Sequence, residues 1–335
     1  MRLEGCRNLS FTVKVPATSA NLGPGFDSLG LALGMYSTLK VEILDVPGIT
    51  IETRGSSQFP SDDSNLIVRS LLHVFASRGF TAPGLRLVSD FDFPPGRGLG
   101  SSAAAISSAV LAAQRIMSHA SYPHDSAESF ILATDIEGHP DNIAAALFGG
   151  LTIAWLRGSG EKTVSPSYRH DSSARQGTEP AYKKLVPHRA IRPVIFVPVN
   201  QQMSTVVARG LQPFSVPYTD AVFNLSRSAL LVAALTQSPD VLLEATEDRL
   251  HQNYRADAMP ETFSLIEHLR HAKLAAVVSG AGPSILVLTV DPAERLKAID
   301  VVTSHAKGQW EHFMPAIDFE GARIFDGHDP LGPFS

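Results

Sequence analysis

The chain has 335 residues, of which 44% are hydrophobic and 18% charged, with a formal net charge of -5 and a pI near 6.2. Such a length exceeds one ordinary core and fits two domains of about 150 residues each, and the composition excludes a disordered chain. The acidic balance argues against a nucleic-acid binder, which carries a basic face, yet a few local arginines and backbone N–H groups can still hold an anionic ligand.

Met1 to Ser10 lacks the apolar stretch of a signal peptide. Cys6 is the single cysteine, so no intrachain disulfide can form, which fits a reducing compartment. Phe11 to Val15 alternates and predicts a strand. A loop rich in Gly, Pro and Asn is expected from Ala17 to Gly30, then strands at Leu39 to Leu44 and Ile49 to Thr53. The spacing of Leu66, Val68, Leu71, Leu72 and Phe75 predicts a helix over Asn65 to Ser77. A strand at Leu85 to Phe91 leads into a glycine-rich turn, and helices are predicted over Ser101 to Met117 and Ser126 to Asp135.

Arg157 to Arg192 is polar and weakly periodic and predicts a long surface loop near a domain boundary. The second half predicts strands at Pro193 to Val197, Leu274 to Val278 and Ile285 to Val290, with further strands at Phe313 to Ile317 and Ala322 to Phe325. Its helices are Thr219 to Thr236, Pro260 to His271 and Pro292 to His305. Strands and helices mix without strict alternation, so α+β is expected over a doubly wound sheet. No run of about 18 apolar residues is present, so nothing is expected to span a membrane.

The strongest local signal runs Pro94-Pro95-Gly96-Arg97-Gly98-Leu99-Gly100-Ser101-Ser102-Ala103-Ala104-Ala105. Alternate glycines let the backbone approach a bulky anion, and a helix starts directly afterwards with its first N–H groups unpaired. Those amides and the helix dipole suit phosphates. The serine hydroxyls add oxygen ligands of the kind Mg²⁺ prefers. A P-loop requires a lysine that this segment lacks. A Rossmann fingerprint matches formally at Gly98-x-Gly100-x-x-Ala103, but it wants an acid about 20 residues on. The next acid after Asp92 is Asp125, and two prolines break the strand-to-turn entry. A glycine-capped, alanine-rich helix of purely structural purpose explains the glycines but not the serine pair.

The segment is similar to the phosphate loop of the GHMP kinases, and five more segments carry the resemblance in family order. Val15-Pro16-Ala17-Thr18-Ser19-Ala20-Asn21-Leu22-Gly23-Pro24-Gly25-Phe26-Asp27 resembles the N-terminal motif of the homoserine kinases within that family. Glu137-Gly138-His139-Pro140-Asp141-Asn142 resembles the central motif. Ser204 to Arg209 with Asp220 to Leu225, and Leu250 to Arg255, resemble homoserine kinase patterns, and Ser279-Gly280-Ala281-Gly282-Pro283-Ser284 resembles the third GHMP motif.

The resemblance implies the two-domain α+β GHMP kinase fold. An N-terminal ATP-binding domain over 1–190, like domain 2 of ribosomal protein S5, would precede a ferredoxin-like C-terminal domain over 191–335. It implies ATP and Mg²⁺ as cofactors and phosphoryl transfer to the hydroxyl of L-homoserine, a step toward threonine. No nucleic acid or membrane partner is implied, and a homodimer and a cytoplasmic setting are expected. ATP would meet Asn65 and the loop Pro95, Gly96, Arg97, Gly98, Leu99, Gly100, Ser101, Ser102 and Ala103. As a bare residue Asn65 is a helix cap, and both roles are compatible. Ser102 and Glu137 are the expected metal ligands. Arg209 and Arg255 would hold the substrate carboxylate, a task that suits the planar guanidinium. Thr205, one helical turn before Arg209, would face the same pocket. Asp27 would face the ammonium, with Asn21 and His139 beside it. Asn142 would orient the acceptor hydroxyl, Arg209 would join it as a catalytic residue, and Asp141 would act as a base or as an orienter. The alternatives are a GHMP kinase acting on mevalonate, a sugar or an isoprenoid intermediate, and a ligand sensor without catalysis.

Overall fold

The computed structural model describes residues 9–54, 59–123, 125–158, 178–203 and 205–327. Two mixed layers share one interior. The first is a sheet in the order β11-β1-β2-β4-β3, where β1 is Ser10–Ala20, β2 Leu29–Leu44, β3 Ile49–Thr53, β4 Gly84–Phe91 and β11 Arg323–Asp326. β5 (Leu151–Gly158) pairs with the start of β2, and β6 (Thr178–Leu185) pairs with β5. All pairings are antiparallel except β3 with β4, which are joined through α1 (Leu66–Ser77).

The helices α2 (Ser101–Ser118), α3 (Ser126–Glu137) and α4 (Asp141–Phe148) cover this sheet. α2 is buried along nearly its whole length. Its alanines allow this, because a side chain of one carbon lets β1, α1, α3 and α4 pack closely around one helix.

The second sheet, β10-β7-β9-β8, is antiparallel throughout. It is built from β7 (Arg192–Pro198), β8 (Ala275–Val278), β9 (Ile285–Thr289) and β10 (Trp310–Phe313). The helices α5 (Thr205–Gly210), α6 (Tyr218–Thr236), α7 (Leu242–Ala245), α8 (Pro260–His271) and α9 (Pro292–His305) belong to this half. The core under the first sheet continues through Ile195, Val197, Val277, Leu286 and Leu288 of the second, so the halves are joined by apolar contact. β11 leaves the second half and pairs along β1, from Phe11 with Asp326 to Lys14 with Arg323. The last described strand of the chain therefore belongs to the first sheet.

Several elements differ from expectation. The loop expected over 17–30 shrinks to 21–28, because β1 continues to Ala20 and β2 starts at Leu29. Both extensions are buried on two faces and therefore lack the alternation that marks a half-exposed strand. β6 lies within the stretch expected to be a loop. Its TEPAYKKL sequence is polar because it is an edge strand that leaves Tyr182, Lys183 and Lys184 exposed. Residues 159–177 of that stretch lie outside the described residues. The expected strand at 313–317 ends at Phe313, and Ile317 makes only a single bridge to Leu33.

Candidate active site

The turn between β4 and α2 holds Gly96, Gly98 and Gly100 in left-handed backbone, with φ of 72°, 81° and 69°. No side chain caps α2, and its first turn carries no acid, so its leading N–H groups face outward as an anion cradle. Gly98 is required by a close approach as well: a Cβ there would fall 2.2 Å from the carbonyl oxygen of Ser279. Ser279 Oγ donates to Gly98 O at 2.7 Å and lies 2.8 Å from Ser19 Oγ, so loop 279–283 is keyed into the glycine-rich turn.

Gly98→Ala is therefore expected to destabilise the protein by about 2–4 kcal/mol, through backbone strain and a clash with main chain. Gly96→Ala should cost only about 1–2 kcal/mol, because strain acts there alone and the nearest atom to a new Cβ is 3.8 Å away. Thermal unfolding of the two variants checks the difference. Equal losses would show that the approach of Ser279 does not matter.

Beside the cradle lies a cavity of about 310 Å³ lined by Phe59, Ile67, Phe91, Pro95, Ser101 and Ala105, among others. Its mix of aromatic walls and a few polar groups is that of a small-molecule site. Asn65 borders it, but both ends of its side-chain amide are engaged. Oδ1 accepts from Ile67 N at 2.9 Å as the cap of α1, and Nδ2 donates to Pro60 O at 2.7 Å. Gly96 and Ser102 border the cavity too. Leu99 and Ala103 point into the core and can offer only backbone. Arg97 turns the other way and donates to the carbonyls of Val199 and Gln201, bracing the loop against the second half.

At the far side of the cradle, Ser102 Oγ donates to Glu137 Oε2 at 2.6 Å. Glu137 is the last residue of α3, which Gly138 ends in left-handed backbone. His139 Nδ1 lies 2.6 Å from Asp141 Oδ1, which also accepts from Asn142 N at 2.8 Å. Both side chains are buried. Burial pulls the His139 pKa down, but the Asp141 carboxylate outweighs it and holds the imidazole above its ordinary value. Burial pushes Asp141 up, and His139 and Arg209 more than offset this, so its carboxyl stays below the usual range. Thr18 Oγ1 donates to Asn142 Oδ1 at 2.7 Å, which leaves the Asn142 amide nitrogen as a donor toward the site.

The remaining expected residues gather next to loop 279–283. Asn21 Nδ2 and Arg255 Nη1 both donate to Gly280 O, at 2.8 and 3.1 Å. Arg209 meets Asp27 in a two-bonded fork, with distances of 2.7 and 3.0 Å. The groups expected to hold opposite ends of a zwitterion thus neutralise each other. Arg255 is 2% exposed, its Nε has no hydrogen-bond partner, and among the described residues it makes no ion pair. Burial draws its pKa down to about 10, and it stays charged at neutral pH. Thr205 opens α5, but its side chain lies outside what the structure describes.

Thr18, Ser19 and Ser279 fall within the motifs but carry no expected role, and the fold gives each a partner in the site. Phe59 and Phe91 carry no signal in the sequence that could mark them as cavity walls. Among the described residues no group of three or more His, Cys, Asp or Glu side chains gathers to hold a metal by itself. No described helix is long and apolar enough to cross a membrane.

The model of the GHMP kinases N terminal domain matches residues 65–150, and that of the GHMP kinases C terminal domain matches residues 230–308. A homoserine kinase of Clavibacter michiganensis subsp. michiganensis is 51% identical, over 93% of this chain and 93% of its own. One of Leifsonia xyli subsp. xyli is 52% identical, over 94% and 92%. The crystal structure of homoserine kinase from Cytophaga hutchinsonii superposes with a TM-score of 0.77, covering 94% of this chain and 97% of that one. At 22% identity that likeness speaks for the fold alone. The chain belongs to the GHMP kinase family and, within it, to the homoserine kinases. It is an ATP-dependent kinase acting on an alcohol.

Proposed function

We propose that the protein transfers the γ-phosphoryl group of ATP to the side-chain hydroxyl of L-homoserine, giving ADP and O-phospho-L-homoserine for threonine synthesis. The observation that carries this is Arg255. A buried guanidinium without a carboxylate partner is costly, and an amino-acid carboxylate would complete it. The mevalonate and sugar alternatives offer no ammonium for Asp27.

The triphosphate lies along Gly96 to Ala103 and the base enters the cavity past Phe59 and Phe91. Asn65 shapes that cavity as the cap of α1. The Ser102 hydroxyl and the Glu137 carboxylate fit a Mg²⁺ ion held mainly by phosphate oxygens, because Mg²⁺ usually takes only one or two protein carboxylates. Such an ion would neutralise charge on the phosphates.

The carboxylate of homoserine binds Arg255 and shares Arg209, while its ammonium takes Asp27, with Asn21, His139 and Thr205 around it. The Asn142 amide nitrogen and Arg209 orient the acceptor oxygen. Asp141 is an orienter rather than a base, since two hydrogen bonds lock one of its oxygens and its pKa is low. Phosphoryl transfer tolerates this, because positioning and charge stabilisation supply most of the catalysis. Residues 1–190 form the domain that carries the cradle, and residues 191–335 the domain that brings Arg209, Arg255 and loop 279–283. A homodimer and a cytoplasmic setting belong to the same reading.

Purified protein with ATP and Mg²⁺ should release ADP with L-homoserine and exceed mevalonate or galactose in kcat/KM by at least about a hundredfold, since a site that pairs both charges rejects acceptors lacking them. No ADP release with homoserine would sink this assignment.

A further inference from the structure

The loop 21–27, between β1 and β2, is held in unusual backbone. Asn21, Leu22, Gly23 and Asp27 all have positive φ, at 71°, 51°, 87° and 54°. Such a conformation persists only when its surroundings fix it. Asn21 fixes part of the loop from within, because its Oδ1 accepts from Asp27 N at 3.0 Å. Backbone bonds within the loop, such as Gly25 N to Asn21 O, hold it too, and a further grip comes from the other half of the molecule.

His251 Nε2 lies 2.8 Å from Gly23 O and donates to it. Asn224 Nδ2 and Ser228 Oγ both donate to Pro24 O. The His251 ring stacks on Phe26, with centroids 4.7 Å apart and planes 18° from parallel. The Arg255 guanidinium lies 5.4 Å from the centre of the same Phe26 ring. His251 is fully buried, and its Nδ1 has no partner. Its backbone N–H and that of Gln252 are held by Asp248 Oδ2, so the ring is aimed by a fixed main chain. One side chain thus touches the loop that ends in Asp27 and the aromatic ring that lies against Arg255.

We infer that His251 is the positioning residue of the acceptor site, holding loop 21–27 and the Phe26 ring so that Asp27 and Arg255 stand at the spacing of an amino acid's two charges. This rests on the proposal that Asp27 and Arg255 bind the ammonium and carboxylate of homoserine. Nε2–H supplies the donor to Gly23 O, with the buried Asp248 carboxylate 3.7 Å from the same nitrogen, and Nδ1 has no hydrogen-bond partner. Nucleotide binding does not pass through this contact, since the cavity beside α2 has no wall from loop 21–27.

The test is steady-state kinetics on the full chain with homoserine and ATP varied separately. His251→Phe keeps a stacking ring and removes the donor. It should raise KM for homoserine about tenfold, as expected for one lost buried hydrogen bond, and leave KM for ATP within about twofold. His251→Gln returns a donor at similar reach and should recover most of that loss. A homoserine KM within about twofold of wild type in His251→Phe, or an equal rise in KM for ATP, would overturn the inference. Should His251→Phe fail to fold, Ser228→Ala removes one donor to the same loop at a partly exposed site. It should raise KM for homoserine about threefold, and no change there would count against the clamp. Asp27→Asn separates the two levels. If it leaves KM for homoserine unchanged, the assignment of the loop to the acceptor fails. If it raises KM while His251→Phe does not, only the role of His251 fails.

Discussion

Glu137→Gln is expected to lower kcat by about a thousandfold or more, or ~4 kcal/mol, while the protein stays folded. The expectation follows from what the change removes and what it keeps. The new side chain would still offer an amide oxygen to the Ser102 hydroxyl, which donates to the native carboxylate at 2.6 Å, so the link between α2 and α3 survives. The volume is unchanged, and α3 keeps its glycine C-cap. What disappears is one negative charge at the mouth of a cradle built otherwise from N–H groups and hydroxyls. A divalent cation is weakly held by neutral oxygens alone, so raising Mg²⁺ should recover part of the lost rate. Near-normal kcat at saturating ATP would take Glu137 out of the metal site. A lost rate with a large drop in melting temperature would show it to be a structural residue instead.

Arg255→Leu should raise KM for homoserine by about ten- to a hundredfold, corresponding to the ~1.5–3 kcal/mol of a charge-assisted contact, and leave KM for ATP nearly unchanged. Its effect on stability should run the other way. The guanidinium is 2% exposed and has no ion pair among the described residues, so burying leucine there is less costly than burying the charge. The one hydrogen bond it gives up ends on Gly280 O, which keeps its bond from Asn21 Nδ2. The melting temperature should therefore hold or rise as substrate affinity falls. An equal loss toward both substrates would contradict the carboxylate assignment, and a fall in melting temperature would mean that Arg255 is a structural tether.

The parts of this molecule most legible in the sequence are those where function constrains neighbouring residues. Gly98 to Ala105 could be read as an anion-binding loop entering a helix because the turn chemistry and the helix start are contiguous. Glu137 and Ser102 were pairable only through motif resemblance, and the fold brings them to 2.6 Å. The pairing of Asp27 with Arg209, 182 positions apart, was not legible at all. Each residue pointed to an opposite substrate charge, and nothing local says that two such groups also satisfy each other. Asn65 was legible as a cap because that role is local, as the bond from Ile67 N bears out. Arg97 misled, since its place inside the loop suggests phosphate, while its donors reach carbonyls more than 100 residues away. The strand β6 escaped for a thermodynamic reason. An exposed edge strand has no need of the apolar alternation by which strands are recognised.

The pairing of β11 with β1 joins nearly the first described residues to nearly the last. During synthesis, the flank of β1 opposite β2 stays open until more than 300 further residues have left the ribosome. For that interval a nascent chain exposes an unsealed row of amides and carbonyls, the feature that invites mispairing between neighbouring polypeptides. Completion of the first sheet in this way waits for residues 323–326, and a ribosome that stalls before residue 323 releases a product whose first sheet lacks its closing strand.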